Sequence, residues 1–150
     1  MALDQTKKEL AAIGASIGAG CRPCIEHHIA AGREAGLSDE EIAAAVARAE
    51  DVRGRAAELL SARSHELLGD STAARKPDAS DESRSQELAA LGASIGANAH
   101  SLLEEYVQAA LGSGLTADQV QAATRMAEHV QGRAAEITAE KVGALVEAAH

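Results

Sequence analysis

Two cysteines and a histidine lie close together near the start of the chain, at Cys21, Cys24 and His28. Their spacing of i, i+3 and i+7 places all three side chains on one face of a helix. His28 follows Cys24 by one helical turn, so its imidazole could hold or take the thiol proton. Cys21 stands where a helix is expected to begin, and there the backbone N–H groups and the helix dipole favour a thiolate. The pattern predicts a redox-active pair in which one sulfur attacks and the other resolves, without deciding which attacks.

The segment around these residues occurs twice in the chain. ELAAIGASIGAG at 9–20 returns as ELAALGASIGAN at 87–98, with a constant offset of 78 residues. Between 9–58 and 87–136, 24 of 50 positions are identical. A repeat of this length indicates an internal duplication and gives every residue of the first copy a counterpart in the second.

The second copy lacks the reactive side chains. At the positions of the two cysteines and the histidine it has Ala99, Leu102 and Tyr106. Loss of all three together favours a shared functional role over core packing. Glu9 is kept as Glu87, so both a catalytic and a structural role remain open for it. Arg53 stands opposite Gln131, a difference that we interpret as surface drift.

The elements that must hold these residues are predicted as three helices in each copy. The first helix begins after Asp4, a plausible N-cap, and the second spans roughly 22–35 with a proline in its first turn. The third begins at Ser38 with a capping box and could continue to about Leu68. Thr116 caps the third helix of the second copy.

The predicted organisation is a first repeat at 1–69, a linker at 70–86 and a second repeat at 87–150. In the third helix the apolar positions recur three and four residues apart, which predicts an amphipathic helix with the stripe Ile42, Val46, Ala49, Val52, Ala56 and Leu59. Because about 60 residues are too few to bury a core alone, the two three-helix repeats are expected to pack as a pseudo-dimer.

Composition supports an all-α fold and excludes several function classes. The 150 residues include 36 alanines, one tyrosine and no phenylalanine or tryptophan, which disfavours a β-sandwich or barrel. A net charge of -9 and the lack of stacking aromatics make nucleic acid a poor partner. No transmembrane run and no signal peptide are evident, so a cytoplasmic location is expected. The small residues supply little apolar area, which predicts a homo-oligomer.

The motif formed by Glu9, Cys21, Cys24 and His28 resembles the signature of the alkylhydroperoxidase D family. That family is a branch of the carboxymuconolactone decarboxylase-like fold, which is all-helical and oligomeric. The resemblance covers 9–58, and the second copy looks like a degenerate version of the same unit. Some family members carry a second histidine between the cysteines, where this chain has Pro23.

The resemblance implies a thiol-dependent peroxidase or disulfide oxidoreductase in antioxidant defence. Cys24 would attack a hydroperoxide or disulfide, Cys21 would resolve the intermediate, His28 would act as the base and Glu9 would orient it. No tightly bound cofactor is needed. The resemblance also implies a protein reductant of the lipoyl or thioredoxin-like type, and a peroxiredoxin partner. Because a duplicated chain imitates a dimer of single-copy members, we expect a trimer.

Three other interpretations are open at this stage. A non-redox lyase of the carboxymuconolactone decarboxylase type would work without the cysteine pair, so the pair argues against it. Two cysteines, one histidine and one glutamate could form a tetrahedral zinc site, although structural zinc sites usually draw on two separated pairs of ligands. A non-catalytic helical module is the third. His27 points about 100° away from His28 on a helix and is interpreted as a surface residue.

Overall fold

The computed structural model describes residues 3–69 and 79–149, and this part of the chain is helical throughout, with no strand. The all-α prediction is confirmed. The chain divides into two compact units, Met1–Lys76 and Pro77–His150, and each contains one copy of the repeat. That the two copies pack as a pseudo-dimer stays a prediction.

The first unit consists of α1 (Gln5–Ala19), α2 (Arg22–Glu34) and α3 (Asp39–Leu68). The Asp4 carboxylate caps α1 by accepting from the Lys7 backbone N–H at 2.9 Å, and hydrogen bonds from Lys7 lower the pKa of Asp4. Ser38 begins α3 with the predicted capping box. These three helices begin and end within a residue or two of the positions predicted from the sequence.

The second unit repeats this plan with α4 (Ala79–Gly96), a short 3-10 helix (His100–Leu102), α5 (Leu103–Gly112) and α6 (Ala117–Ala148). Thr116 begins α6 with a capping box, as predicted. The chain leaves the first helix of each copy through a left-handed residue, Gly20 with φ 66° and its counterpart Asn98 with φ 51°. Asparagine is the residue type that best replaces glycine in this conformation, so the turn survives the substitution.

The predicted linker at 70–86 is wrong in its second part, because α4 begins at Ala79 and residues 79–86 are helical. No proline or glycine occurs between Asp78 and Leu91, and the polar residues there are compatible with an exposed helix. The remainder of the predicted linker, at 70–78, lies outside the described residues.

Equivalent apolar side chains form the core of each unit. In the first unit Ile13 is fully buried and packs with Leu37 and Ile42. In the second, the counterparts Leu91, Leu115 and Val120 pack together in the same way. The first helix of each copy therefore packs against the following two helices through the same positions. In the first copy this helix carries Glu9 beside the core.

The apolar stripe of α3 is buried only near its start. Ile42 is buried, whereas Val52 is 54% and Leu59 71% exposed, so the apolar pattern continues beyond the part of α3 that packs in the core. The reason is length, because the 15 residues of α1 span about 22 Å and the 30 of α3 about 45 Å. None of the described helices is both long and apolar enough to cross a membrane.

Candidate active site

The start of α2 brings the two cysteines together. Cys21 is the N-cap residue of α2, a proline follows in its first turn, and Cys21 and Cys24 form a disulfide with 5.3 Å between their Cα atoms. This separation is in the range that a disulfide requires, so one helical turn is enough to close the bond. Both residues are partly exposed. The structure therefore shows the pair in its oxidised form, at the surface.

Glu9 and His28 form an ion pair or hydrogen bond between α1 and α2. The Nδ1 atom of His28 lies 2.9 Å from Oε2 of Glu9, and Glu9 is buried, with only 7% of its surface exposed. An ionised carboxylate can only accept, so Nδ1 carries the hydrogen and donates it. In the neutral ring the other nitrogen, Nε2, is then left with a lone pair that can take a proton.

Gln5 completes the surroundings of the Glu9 carboxylate and was missed at the sequence level. Its amide Nε2 donates to Oε1 of Glu9 at 2.6 Å, so each carboxylate oxygen has its own donor. The signal was available in the sequence, because Gln5 precedes Glu9 by four residues and lies on the same face of α1.

A shallow depression of about 280 Å³ lies between the end of α1 and the start of α2. The two cysteines and His28 form one side, and the rest is small side chains of α1: Ala12, Ala15, Ser16 and Ala19. The Ser16 hydroxyl donates to the Ala12 carbonyl at 2.7 Å. Substrate atoms that enter this depression would meet both sulfurs and the imidazole within a largely apolar surface. His27 is exposed and does not line it, as predicted.

Residues 1–64 match the family model described as the carboxymuconolactone decarboxylase family. This confirms the predicted relationship, and the segment contains all four residues of the motif. No curated protein and no solved structure shows significant similarity to the chain.

In the described part of the second copy, the arrangement of Glu9, His28 and the two cysteines has no equivalent. Tyr106, at the position of His28, packs against the apolar core of Leu91 and its neighbours. Within the described residues, the Glu87 side chain makes no hydrogen bond to Tyr106. The conserved glutamate is therefore part of a polar pair in the family-matched copy only.

The difference between Arg53 and Gln131 is not surface drift. In the family-matched copy, Nη1 of Arg53 donates to the Ile17 carbonyl at 3.3 Å, and Nε2 of Gln131 donates to the equivalent Ile95 carbonyl at 2.7 Å. Both side chains donate to a carbonyl near the end of the first helix of their copy, and this carbonyl also accepts a backbone N–H, from Gly20 in the first copy and from Asn98 in the second. What the two copies keep is a long side chain that donates a hydrogen bond to this carbonyl, not a particular residue type.

The zinc alternative rests on spacing alone. In the part of the chain that the structure describes, no group of three or more histidine, cysteine, aspartate or glutamate side chains is arranged to hold a metal ion. Cys21 and Cys24 are joined in a disulfide, and zinc binds thiolates.

Proposed function

We propose that the protein is a thiol-dependent peroxidase or disulfide oxidoreductase whose Cys21–Cys24 pair cycles between dithiol and disulfide. The observation that carries the proposal is the placement of this pair at the start of a helix, in one depression with a histidine held by a buried glutamate. The family match to residues 1–64 adds support, because the resemblance that implies this chemistry lies in the same segment.

In the first step, Nε2 of His28 takes the thiol proton of Cys24. The Nδ1–H group of His28 stays hydrogen-bonded to the Glu9 carboxylate. The Cys24 thiolate attacks the terminal oxygen of a hydroperoxide, so that an S–O bond forms and the O–O bond breaks. The alkoxide leaves and takes the proton from His28, which gives an alcohol. Cys24 becomes a sulfenic acid, oxidised by two electrons.

In the second step, the Cys21 sulfur attacks the sulfur of the Cys24 sulfenic acid. The S–S bond forms, the S–O bond breaks, and the hydroxyl leaves as water with the Cys21 thiol proton. In sum, two thiols and one hydroperoxide give one disulfide, one alcohol and one water. An external dithiol, which the resemblance implies to be a lipoyl or thioredoxin-like protein, returns the pair to the reduced form.

A disulfide substrate would follow the same route. Cys24 attacks one sulfur, which releases one thiol and leaves a mixed disulfide, and Cys21 then releases the second thiol. Pro23 stands where some members of the resembled family have a second histidine, so among the described residues of the site His28 and Glu9 are the groups proposed to move the proton. Disulfide exchange needs less proton transfer than peroxide reduction, and both substrates therefore belong in the test.

The test is a single turnover of the reduced protein. After removal of reductant, tert-butyl hydroperoxide or 5,5′-dithiobis(2-nitrobenzoate) is added, and free thiols and products are counted. We expect one equivalent of substrate consumed and two thiols lost per chain. The double variant Cys21→Ser, Cys24→Ser is the control, and substrate consumption equal to that control would refute the proposal. Turnover of a carboxylactone by the double variant would favour the lyase.

The protein is also proposed to assemble as a homo-oligomer, with a trimer expected. The support comes from the distal half of α3, where four leucines are about 70% exposed: Leu59, Leu60, Leu67 and Leu68. Such a surface is typical of an interaction site. Light scattering decides the point, because a monomer would contradict the assembly. A reducing compartment such as the cytoplasm is the proposed location, since it returns the pair to the dithiol.

A further inference from the structure

We infer that Gln5 is a positioning residue, which fixes the tautomer of His28 by holding the carboxylate of Glu9. The effect on the tautomer stands on geometry alone, and its consequence for turnover rests on the function proposed above. Gln5 touches neither the sulfurs nor the depression, so it acts only through Glu9.

The contacts of the Glu9 carboxylate carry the inference. Glu9 is buried, and its two oxygens are divided between two donors, the Gln5 amide on Oε1 at 2.6 Å and His28 on Oε2 at 2.9 Å. The terminal torsion of a glutamate is broad and has no strong preference of its own. The bond from Gln5 selects one orientation of the carboxylate, which presents Oε2 to the histidine and keeps the hydrogen on Nδ1.

The position of Gln5 is itself well defined. It is the first residue of α1, directly after the Asp4 cap, and it lies one turn before Glu9 on the same face. A buried carboxylate oxygen without a donor is costly, so the amide has a reason to stay. With Nδ1 occupied, Nε2 is the only ring nitrogen that can accept a proton from a thiol.

The second copy supports the assignment. The counterpart of Gln5 there is Ser83, which has no amide and a shorter side chain. The donor is thus missing in the same copy that lacks the histidine, while the glutamate remains as Glu87. A role for Gln5 in packing α1 would not explain this joint loss.

Two variants separate the hydrogen bond from the bulk of the side chain. Gln5→Met keeps the length and removes the donor, whereas Gln5→Lys keeps a donor that can reach Glu9. A matched control is Gln86→Met, which removes a similar amide–carboxylate pair, four residues apart and 3.4 Å from Glu82, on the exposed surface of α4.

The first readout is the ¹⁵N chemical shifts of the His28 ring in the oxidised protein, at a pH where the ring is neutral. We expect the Nδ1–H form in the unchanged protein, a mixture with Nε2–H in Gln5→Met, and the original form in Gln5→Lys and Gln86→Met. A pure Nδ1–H ring in Gln5→Met would overturn the inference, whatever the activity.

The second readout is the rate of thiol loss in a single turnover with hydroperoxide. Gln5→Met should slow it on the order of tenfold, the scale seen for outer partners that orient a histidine, and Gln5→Lys should restore it. Equal slowing in both variants would mean that the donor is irrelevant and would overturn the inference. A tautomer shift in Gln5→Met, in a protein that consumes neither hydroperoxide nor disulfide, would support the inference and refute the proposed function.

Discussion

The two copies of the repeat share one helical scaffold, but only the first carries the cysteine pair. Their third helices begin with equivalent capping boxes, and their cores place equivalent side chains at equivalent positions. They diverge at the start of the second helix. In the first copy α2 is helical from Arg22, with a disulfide across its first turn, whereas the second copy begins with a 3-10 turn at 100–102 before α5.

The divergence lies where the chemistry would be. The proline at the start of α2 presets the helical backbone angle, and the cysteine bridge closes the same turn, so local sequence and reactive group act together. Without them, residues 100–102 adopt a tighter turn, and a tyrosine packs into the core in place of the histidine. The comparison teaches that a glutamate at this position does not by itself make a site, because in the described part of the second copy Glu87 makes no hydrogen bond to Tyr106.

The largest expected effect comes from removing one thiol at a time from the first copy, towards the thiol-free state of the second. Cys24→Ser should reduce single-turnover hydroperoxide consumption to the background, a loss of at least about 10³-fold, because the attacking thiolate is gone. Cys21→Ser should still consume one equivalent and accumulate a sulfenic acid on Cys24, detectable by mass spectrometry after trapping with dimedone.

The opposite outcome of this pair of variants would reassign the roles. Sulfenic acid on Cys21 in the Cys24→Ser protein would mean that the helix-start cysteine attacks, as the helix dipole favours. Residual consumption by the double variant would place reactivity outside the first copy and would break the comparison between the copies.

The next effect concerns what the copies share. Ile13→Ala and Leu91→Ala each remove a side chain with no exposed surface from equivalent core positions. Each should lower the free energy of unfolding by about 3 kcal/mol, through lost burial and the cavity left behind. Urea denaturation followed by circular dichroism measures both, and Val52→Ala, at an exposed position of α3, serves as the control with a change under about 0.5 kcal/mol.

Unequal losses of unfolding free energy in Ile13→Ala and Leu91→Ala would show that the duplication preserved the apolar sequence pattern but not the packing of the core. A change under about 1 kcal/mol at either buried position would contradict the equivalence of the two cores.

Exchange of one residue between the copies gives a smaller effect. His28→Tyr should slow thiol oxidation by about 10²-fold, since a positioned general base contributes on that scale. Tyr106→His, the reverse change in the second copy, should leave the rate unchanged, because no thiol lies in that copy. A slower rate in Tyr106→His would show that the second copy contributes to the reaction.

Much of this arrangement could be predicted from the sequence, because its causes are local. Helix starts follow from capping residues such as Ser38 and Thr116, and the redox motif follows from spacing along one helix. The contact between Glu9 and His28 joins residues 19 apart, and only the family resemblance suggested it. Gln5 was missed because a polar residue at a helix start has several possible uses, and only the fold shows which donor a buried carboxylate needs.

The exposed half of α3 and the role of Arg53 depend on helix length and on contacts between helices. Periodicity reports which face of a helix is apolar, but not how far a shorter neighbour extends along it. Arg53 and Gln131 differ in charge, so their alignment suggests no shared role. Their common acceptor is a backbone carbonyl, which every residue has, so the sequence does not point to it.

The smallest effect tests that common acceptor. Gln131→Ala should cost about 1 kcal/mol of unfolding free energy, because it removes a partly buried 2.7 Å bond to the Ile95 carbonyl. Arg53→Ala should cost about half as much, because its bond to the Ile17 carbonyl is 3.3 Å long and exposed to water. Urea denaturation of both variants gives the comparison.

The decisive variant is Arg53→Gln, which places the donor of the second copy in the first. If the position requires a long donor and not a charge, this variant should be at least as stable as the original protein, while Arg53→Ala is less stable. Equal destabilisation by Arg53→Gln and Arg53→Ala would show that the guanidinium charge matters. The shared carbonyl contact would then be a coincidence of two long side chains, not a feature that the duplication retained.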